Sequence, residues 1–380
     1  MGEKRTLLAS FSGEIGTKKP GARKDLQILV VKNLKSRAAA FGVSVEIEDF
    51  HGRLKVVSEE GAEALLRSHF GLGKLAELYQ INETFDWQIL LPERPFTFEI
   101  YVDRWESPEQ KRKALTLKNE LLSLLEKEAE AKLSRWDNHP PEHLRLFLEA
   151  RKEGLFLLKL LKPGPGGLPV GSGGRVLLLF SGGPDSLLSA WLLLRRGLEV
   201  VLLFFDDGDR GRKELVEEAA KALTFFYPEG ELSLFRIPYR DHLEALGEAV
   251  PARERCFYCK ALMLKLAEGV LPEVGAESLA TGDLLGEQAS QTIKALSFIS
   301  AGRGLILRPV LALTKEEIFA RLAEVGLKEV AERGLPPCRF APERPRTTPR
   351  KAPFKAVKIL RKLARIPTKV ESKKVKWEKR

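Results

Sequence analysis

The stretch Val176-Leu177-Leu178-Leu179-Phe180-Ser181-Gly182-Gly183-Pro184-Asp185-Ser186 decides the fold. Its first five residues are all apolar, as a strand covered on both faces by helices must be, so they read as part of a parallel sheet. Residues Ser181 to Ser186 then turn the chain into a helix. Free N–H groups at that helix start face one spot at the positive end of the dipole, and such a spot suits an anion. Gly182 and Gly183 let the backbone approach phosphate closely, while Ser181 and Ser186 offer hydroxyl donors. A Walker loop is excluded because no Lys follows the glycines, and the G-x-G-x-x-G spacing is also missing. The competing reading is a plain glycine-rich turn.

Outward from this loop, apolar strands at residues 199–205 and 232–237 alternate with helices starting at Asp185 and Arg212. This order specifies an α/β, doubly wound parallel sheet, on which ligands collect at the carboxyl ends of the strands. Phe204-Phe205-Asp206-Asp207-Gly208 ends a second strand at the same edge, where Phe204 and Phe205 either flank an adenine or fill the core. Upstream, residues 6–10, 26–40, 43–47, 53–57 and 61–69 read as strand, helix, strand, strand and helix, a small α+β sandwich. A second unit follows, with strands at 87–91, 97–101 and 156–161 and a charged helix over 108–136. Lys162-Pro163-Gly164-Pro165-Gly166-Gly167-Leu168-Pro169 reads as a connector.

The chain has 380 residues, 44% of them hydrophobic, enough for two or three domains. No apolar run reaches membrane-spanning length and Met1-Gly2-Glu3-Lys4-Arg5 lacks a signal-like apolar region, so a cytoplasmic protein without membrane association is expected. Net charge is +11, and residues 351–380 hold 12 Lys or Arg against Glu371 and Glu378. Phe354, Val357, Ile359, Leu360 and Leu363 recur among these cations as a short basic amphipathic helix, suited to RNA phosphates or to an anionic surface, with RNA preferred over a merely solvated tail.

The six-residue loop resembles the S-G-G-x-D-S loop of the PP-loop ATP pyrophosphatases. Thr281-Gly282-Asp283-Leu284-Leu285-Gly286-Glu287-Gln288-Ala289-Ser290-Gln291-Thr292 resembles the T-G-E-x-x-G-Q-x-x-S-Q-T segment of the tRNA 4-thiouridine synthases, the ThiI family. Asp283 and Glu287-Gln288 depart slightly from that pattern. Ser12-Gly13-Glu14-Ile15, Gly52-Arg53, Pro165 to Gly171, Arg308-Pro309-Val310 and Thr314-Lys315-Glu316-Glu317-Ile318 match further family segments in order. The resemblance implies a ferredoxin-like domain over residues 1–76, a THUMP RNA-binding domain over 77–171, a PP-loop (HUP-like) domain over 172–345, and a basic extension over 346–380. It also places Leu179, Phe180, Gly282 and Gln291 at nucleotide-contacting positions. The family's Arg-Arg pair reads Lys260-Ala261 here, so a contact needing the second arginine is lost.

The cysteines are Cys256, Cys259 and Cys338, the first two as C-x-x-C. This set resembles that of cluster-dependent tRNA thiolases, in which three thiolates hold a 4Fe-4S cluster with one iron open to sulfide. Zinc needs a fourth ligand, and His242 is the one histidine of that domain. A C-x-x-C disulfide with Cys338 carrying persulfide, and inert cysteines, are the other readings.

The resemblance implies a tRNA sulfurtransferase using ATP and Mg²⁺, with tRNA and a sulfur donor, sulfide or a cysteine desulfurase, as partners. A uridine, that at tRNA position 8, is adenylated and its O4 replaced by sulfur. Asp185 supports the loop or the metal, Lys260 neutralises charge on the phosphate, and Cys338 serves the sulfur step. Rival readings are a thiolase for 2-thiouridine, a non-catalytic tRNA-binding protein, and a role in thiamin thiazole synthesis; monomer and homodimer both stay open.

Overall fold

The computed structural model describes residues 4–58, 61–133, 142–334, 336–350 and 353–378. The chain forms two compact units, residues 1–167 and 168–380, and the connector read from sequence contains their boundary.

The first unit contains β1 (Arg5–Phe11), α1 (Gly13–Gly16), α2 (Pro20–Phe41), β2 (Val45–Phe50), β3 (Arg53–Ser58), α3 (Ala62–Arg67), β4 (Leu72–Ile81), β5 (Phe96–Trp105), α4 (Pro108–Leu133), β6 (Glu142–Arg151) and β7 (Gly154–Leu160). All seven strands join one sheet in the order β2-β3-β1-β4-β7-β6-β5. The β2–β3 turn is His51-Gly52, with φ of 52° and 77°, the left-handed pair that a two-residue hairpin needs. β4 pairs with both β1 and β7, and the expected division at residues 76 and 77 falls within this strand. Leu117, Leu121 and Leu125 of α4 bury against Ile100, Leu144 and Leu146.

Two sequence expectations for this unit change. Residues Trp87–Leu90 form a 3₁₀ turn in place of a strand, because the Asp86 carboxylate accepts from Gln88 N at 2.9 Å and starts a helical turn. β4 and β6 were not expected; in β6 the alternation His143-Leu144-Arg145-Leu146 is broken by the apolar Phe147. The part of the expected helix beyond Leu133 lies outside the described residues.

The second unit contains β8 (Arg175–Leu179), α5 (Pro184–Arg195), β9 (Glu199–Asp206), α6 (Arg210–Leu223), β10 (Glu231–Pro238), α7 (Arg240–Ala249), α8 (Arg255–Val274), β11 (Ser278–Ala280), α9 (Ile293–Ser300), β12 (Ile306–Leu307), α10 (Lys315–Glu324), α11 (Lys328–Ala331), α12 (Pro353–Leu363) and β13 (Glu371–Lys376). Strand order is β12-β11-β8-β9-β10-β13, and the five strands β8 to β12 run parallel. Leu177, Val201, Leu203 and Leu279 pack against α7, α8 and α9, while α5 and α6 contact β8 and β9 among themselves. The doubly wound α/β sheet expected from sequence is therefore present. The chain leaves β8 toward β9 and later returns to β11 on its other side, so the switch in strand order lies between β8 and β11.

The basic extension is built into this unit. Ala356, Leu360 and Leu363 of α12 join the core, and β13 pairs antiparallel with β10, covering an edge of the sheet. Arg236 of β10 bridges Asp206 at 2.6 Å and Glu371 of β13. Lys373, Lys374 and Lys376 face Glu217, Glu231 and Glu231 at 3.4, 3.2 and 3.6 Å. No helix among the described residues is long and apolar enough to cross a membrane.

Candidate functional site

At the carboxyl end of β8 the chain passes through the Ser181 to Gly183 loop into α5, which begins with Pro184 at its first turn. Proline fits there because the N–H it lacks would have no helical partner. The loop is wound on itself: Ser186 Oγ donates to Gly183 O at 3.0 Å and lies 3.2 Å from Ser181 Oγ. Gly182 has φ of 78°, and a Cβ there would meet Val216 Cα at 3.0 Å. Its backbone is thus turned toward α6, and it is not among the residues that line the cavity described next, nor is Gly183.

The neighbouring β11 ends in Thr281-Gly282-Asp283. A Cβ on Gly282 would lie 2.8 Å from Ser186 N and 2.9 Å from Asp185 C, so only glycine lets this segment touch the first turn of α5. Asp283 is buried and collects three partners: Lys260 Nζ at 2.9 Å, Thr281 Oγ1 at 2.7 Å and Arg308 Nε at 3.3 Å. Burial disfavours its charge, but Lys260, Thr281 and Arg308 outweigh burial and hold its carboxyl below the usual range.

These two strand ends form one wall of a cavity of about 650 Å³. Leu179, Phe180, Ser181, Asp185, Ser186, Phe204, Phe205, Lys260, Gly282 and Gln291 all line it. Gln291 is 3% exposed and its Oε1 has no hydrogen-bond partner among the described residues. A buried amide oxygen left this way is costly unless a ligand donor reaches it. Phe204 and Phe205 are both buried, and Phe205 packs edge-on against Tyr239 with centroids 5.1 Å apart.

Asp185 does not stand free. Both its oxygens accept from Lys315 Nζ, at 2.7 and 2.8 Å, and the same ammonium lies 3.6 Å from Glu287. Lys315 opens α10 beside Thr314, which caps that helix reciprocally with Glu317. Sequence reasoning quoted Lys315 and Arg308 within family segments without giving either a role. Both are basic residues inside otherwise apolar or capping motifs, and that is the signal that could have found them. Arg212, 3.3 Å from Asp207, also lines the cavity and carried no such signal.

Cys256, Cys259 and Cys338 line the same cavity. The first two sit three residues apart near the start of α8, hence on one helix face, and Cys338 arrives from the segment after α11. Burial, with Cys338 and Cys256 nearby, pushes the Cys259 thiol up to about 12 although the Tyr239 hydroxyl, 3.7 Å from its sulfur, opposes this. Burial first, then Cys338, also raises the Cys256 thiol.

Among the described residues these three sulfurs do not all lie within 4.8 Å of one another. A single tetrahedral zinc, with Zn–S of about 2.3 Å, needs sulfurs roughly 3.8 Å apart. His242, the histidine a zinc site would have used, is buried and stacks on Tyr239 with centroids 5.3 Å apart, and it is not part of the cavity wall. A fourth ligand to the three thiols would therefore have to be something other than His242. Three thiols thus face one space, a soft donor set of the kind that metal ions and clusters use.

Comparison with known proteins agrees with this geometry. The family model described as thiamine biosynthesis protein (ThiI) matches residues 171–363. A probable tRNA sulfurtransferase of Caldanaerobacter subterraneus is 31% identical over 372 residues, covering 91% of this chain and 93% of that protein. One of Aeropyrum pernix, with the same description, is 30% identical over 358 residues, covering 91% and 90%. A solved 4-thiouridine synthetase in complex with RNA and ATP shares the fold, with a TM-score of 0.76 at 24% identity over 97% of this chain and all of that one.

Proposed function

This chain belongs to the ThiI family, and we propose that it is an ATP-dependent tRNA sulfurtransferase that converts a uridine, that at tRNA position 8, to 4-thiouridine. The observation that carries this reading is the convergence on one cavity of Ser181, Asp185 and Ser186 at the start of α5, the Gln291 Oε1 unpartnered among the described residues, and all three cysteines of the chain. A nucleotide bound at the start of α5 would have its phosphates at the positive helix end, within the same space as the thiols.

In this reading the uridine O4 attacks the α-phosphorus of ATP and pyrophosphate leaves. Sulfide then displaces AMP from the adenylated carbon. Ser181 and Ser186 orient phosphate oxygens, and Lys315 holds Asp185 so that this carboxylate does not repel the incoming polyphosphate. Mg²⁺ would neutralise the phosphates, and Asp185, Asp207 and Asp283 are the carboxylates of the cavity wall that could hold it, each by exchanging its present cationic partner. Lys260, next to Cys259 in sequence and paired to Asp283, would neutralise charge on the phosphate. Cys256, Cys259 and Cys338 would hold a 4Fe-4S cluster, whose uncoordinated iron supplies a soft site for sulfide. The assignment of residues 1–76 and 77–171 to ferredoxin-like and THUMP parts that hold the tRNA belongs to the same reading.

A persulfide route is a second reading, favoured by one observation: Cys338 is exposed whereas Cys256 and Cys259 are partly buried. Anaerobic purification with iron and sulfide analysis of the parent, Cys256→Ala and Cys338→Ala proteins separates them. The cluster reading requires iron that both variants lose; thiolation by an iron-free parent overturns it and leaves the persulfide. Release of AMP and pyrophosphate dependent on tRNA tests the adenylation. Nucleoside analysis of the product tRNA tests the position, with 2-thiouridine as the outcome that overturns it.

A further inference from the structure

Residues 336–350, which carry the third cysteine and lead toward α12, form a strap of turns and bends beside the cavity, and Cys338, Phe340, Pro342 and Pro345 contribute to its wall. Five prolines stiffen it: Pro336, Pro337, Pro342, Pro345 and Pro349. Its backbone is fastened at several points. Arg346 N donates to Arg253 O at 2.9 Å, Arg253 Nε donates to Arg344 O at 3.0 Å, and Thr292 Oγ1 donates to Thr347 O at 2.7 Å. The strap is therefore a fixed rim.

This rim carries Arg339, Arg344, Arg346 and Arg350 against Glu343 alone. Arg339 is paired with Asp209 at 3.1 Å. The side chains of Arg344, Arg346 and Arg350 have no carboxylate partner among the described residues, and Arg344 and Arg350 are exposed. The contrast with β13 is direct, since Lys373, Lys374 and Lys376 each face a glutamate. Unpaired guanidinium groups on a tethered backbone beside a cavity select a partner whose charge lies next to the group that enters it. A folded protein with an acidic face satisfies the charge but not that adjacency. A polynucleotide satisfies both, because a base turned into a pocket leaves its flanking phosphates at the mouth.

We propose that the strap is an RNA-backbone docking surface, with Arg344, Arg346 and Arg350 gripping the phosphates that flank the uridine in the cavity. This rests on the reading of the chain as an RNA-modifying enzyme and adds the place where RNA meets the C-terminal unit. Arginine suits the task because its planar fork meets phosphate with two hydrogen bonds.

The test uses the full chain and a tRNA transcript, with affinity measured across salt concentrations. Arg344→Gln/Arg346→Gln/Arg350→Gln is expected to bind about 10- to 100-fold more weakly near physiological salt, and the slope of log affinity against log salt should flatten by about 2 to 3, at roughly 0.7 to 0.9 per phosphate contact. Affinity for ATP alone should not change. The exposed pair Arg344→Gln/Arg350→Gln, which leaves the half-buried Arg346 in place, should flatten the slope by about 1.5, so a folding defect at Arg346 cannot hide the result. Lys373→Gln/Lys374→Gln/Lys376→Gln removes the same charge from β13 and should change the slope by less than about 1. Equal loss in the strap and β13 triples, or an unaltered slope in the strap variants, overturns the proposal. So does intact RNA binding with loss of sulfur transfer from a protein donor, which would make the strap a protein-docking site. A parent chain that fails to bind tRNA at all would instead overturn the enzyme reading.

Discussion

In the first unit, Arg53 and Glu149 meet in a bidentate pair with both distances at 2.7 Å, and Arg151 adds a second cation at 3.0 Å. In the second, Asp283 is also buried and is surrounded by Lys260, Arg308 and Thr281. The two clusters differ in what lies beside them. Arg53 borders a space of only about 100 Å³, whereas Asp283 stands on the wall of one of about 650 Å³. A buried charge cluster closed on itself is an element of structure, while one facing a large space with an unpartnered amide nearby is arranged for a ligand. The same distinction holds for His69. Its Nδ1 lies 3.2 Å from Arg37 and its Nε2 lies 3.0 Å from Val30 O, so the ring is neutral with its proton on Nε2, and both nitrogens are used within the fold.

The sharpest attack on this contrast is Glu149→Ala, which strands the buried Arg53 guanidinium. We expect the first unit to lose about 3–5 kcal/mol in chemical denaturation, with ATP affinity unchanged; a loss of nucleotide binding of similar size would erase the distinction. Next is Gly282→Ala. Its methyl would strike the backbone of Asp185 and Ser186, and we expect tRNA-dependent AMP release to fall about 100-fold, near 3 kcal/mol of misplaced first turn, while circular dichroism stays that of the parent.

Acid should act on the first unit through His69, whose pKa burial, aided by Arg37, lowers to about 3. The unfolded chain takes up that proton near pH 6.5 and the folded one does not. Stability is thus full above pH 6.5 and declines as pH falls toward 3, by about 1.4 kcal/mol per unit. Urea midpoints at pH 7 and 5.5 check this, and a His69→Gln protein with an unchanged slope would dissociate the effect from this ring. The smallest effect expected is that of Tyr239→Phe, which removes the hydroxyl bond to Cys259 O at 3.1 Å. About 1 kcal/mol of stability in the second unit should go with it, readable as a shift of the thermal midpoint.

How far the site was legible follows from how local each signal is. The turn at Ser181 and the parallel strands around it could be read because continuous apolar runs and glycine pairs act within a few residues. The 3₁₀ turn at Trp87 was misread since four apolar residues fit either period. β13 was missed because its charged residues are paired with Glu217 and Glu231, far away in sequence. Lys315 escaped for the same reason: its partner Asp185 is 130 positions earlier.

By itself the sequence determined the doubly wound sheet, the glycine-rich turn at Ser181 and the grouping of three thiols in one unit. Those follow from local backbone preference and from hydrophobic pattern. Tertiary structure alone decided that Gly182 faces α6 and not the cavity, that His242 stands apart from the cysteines, and that the basic tail is half sheet edge and half core. Such outcomes depend on which side chains share a space once distant segments pack, and no local period records that distance.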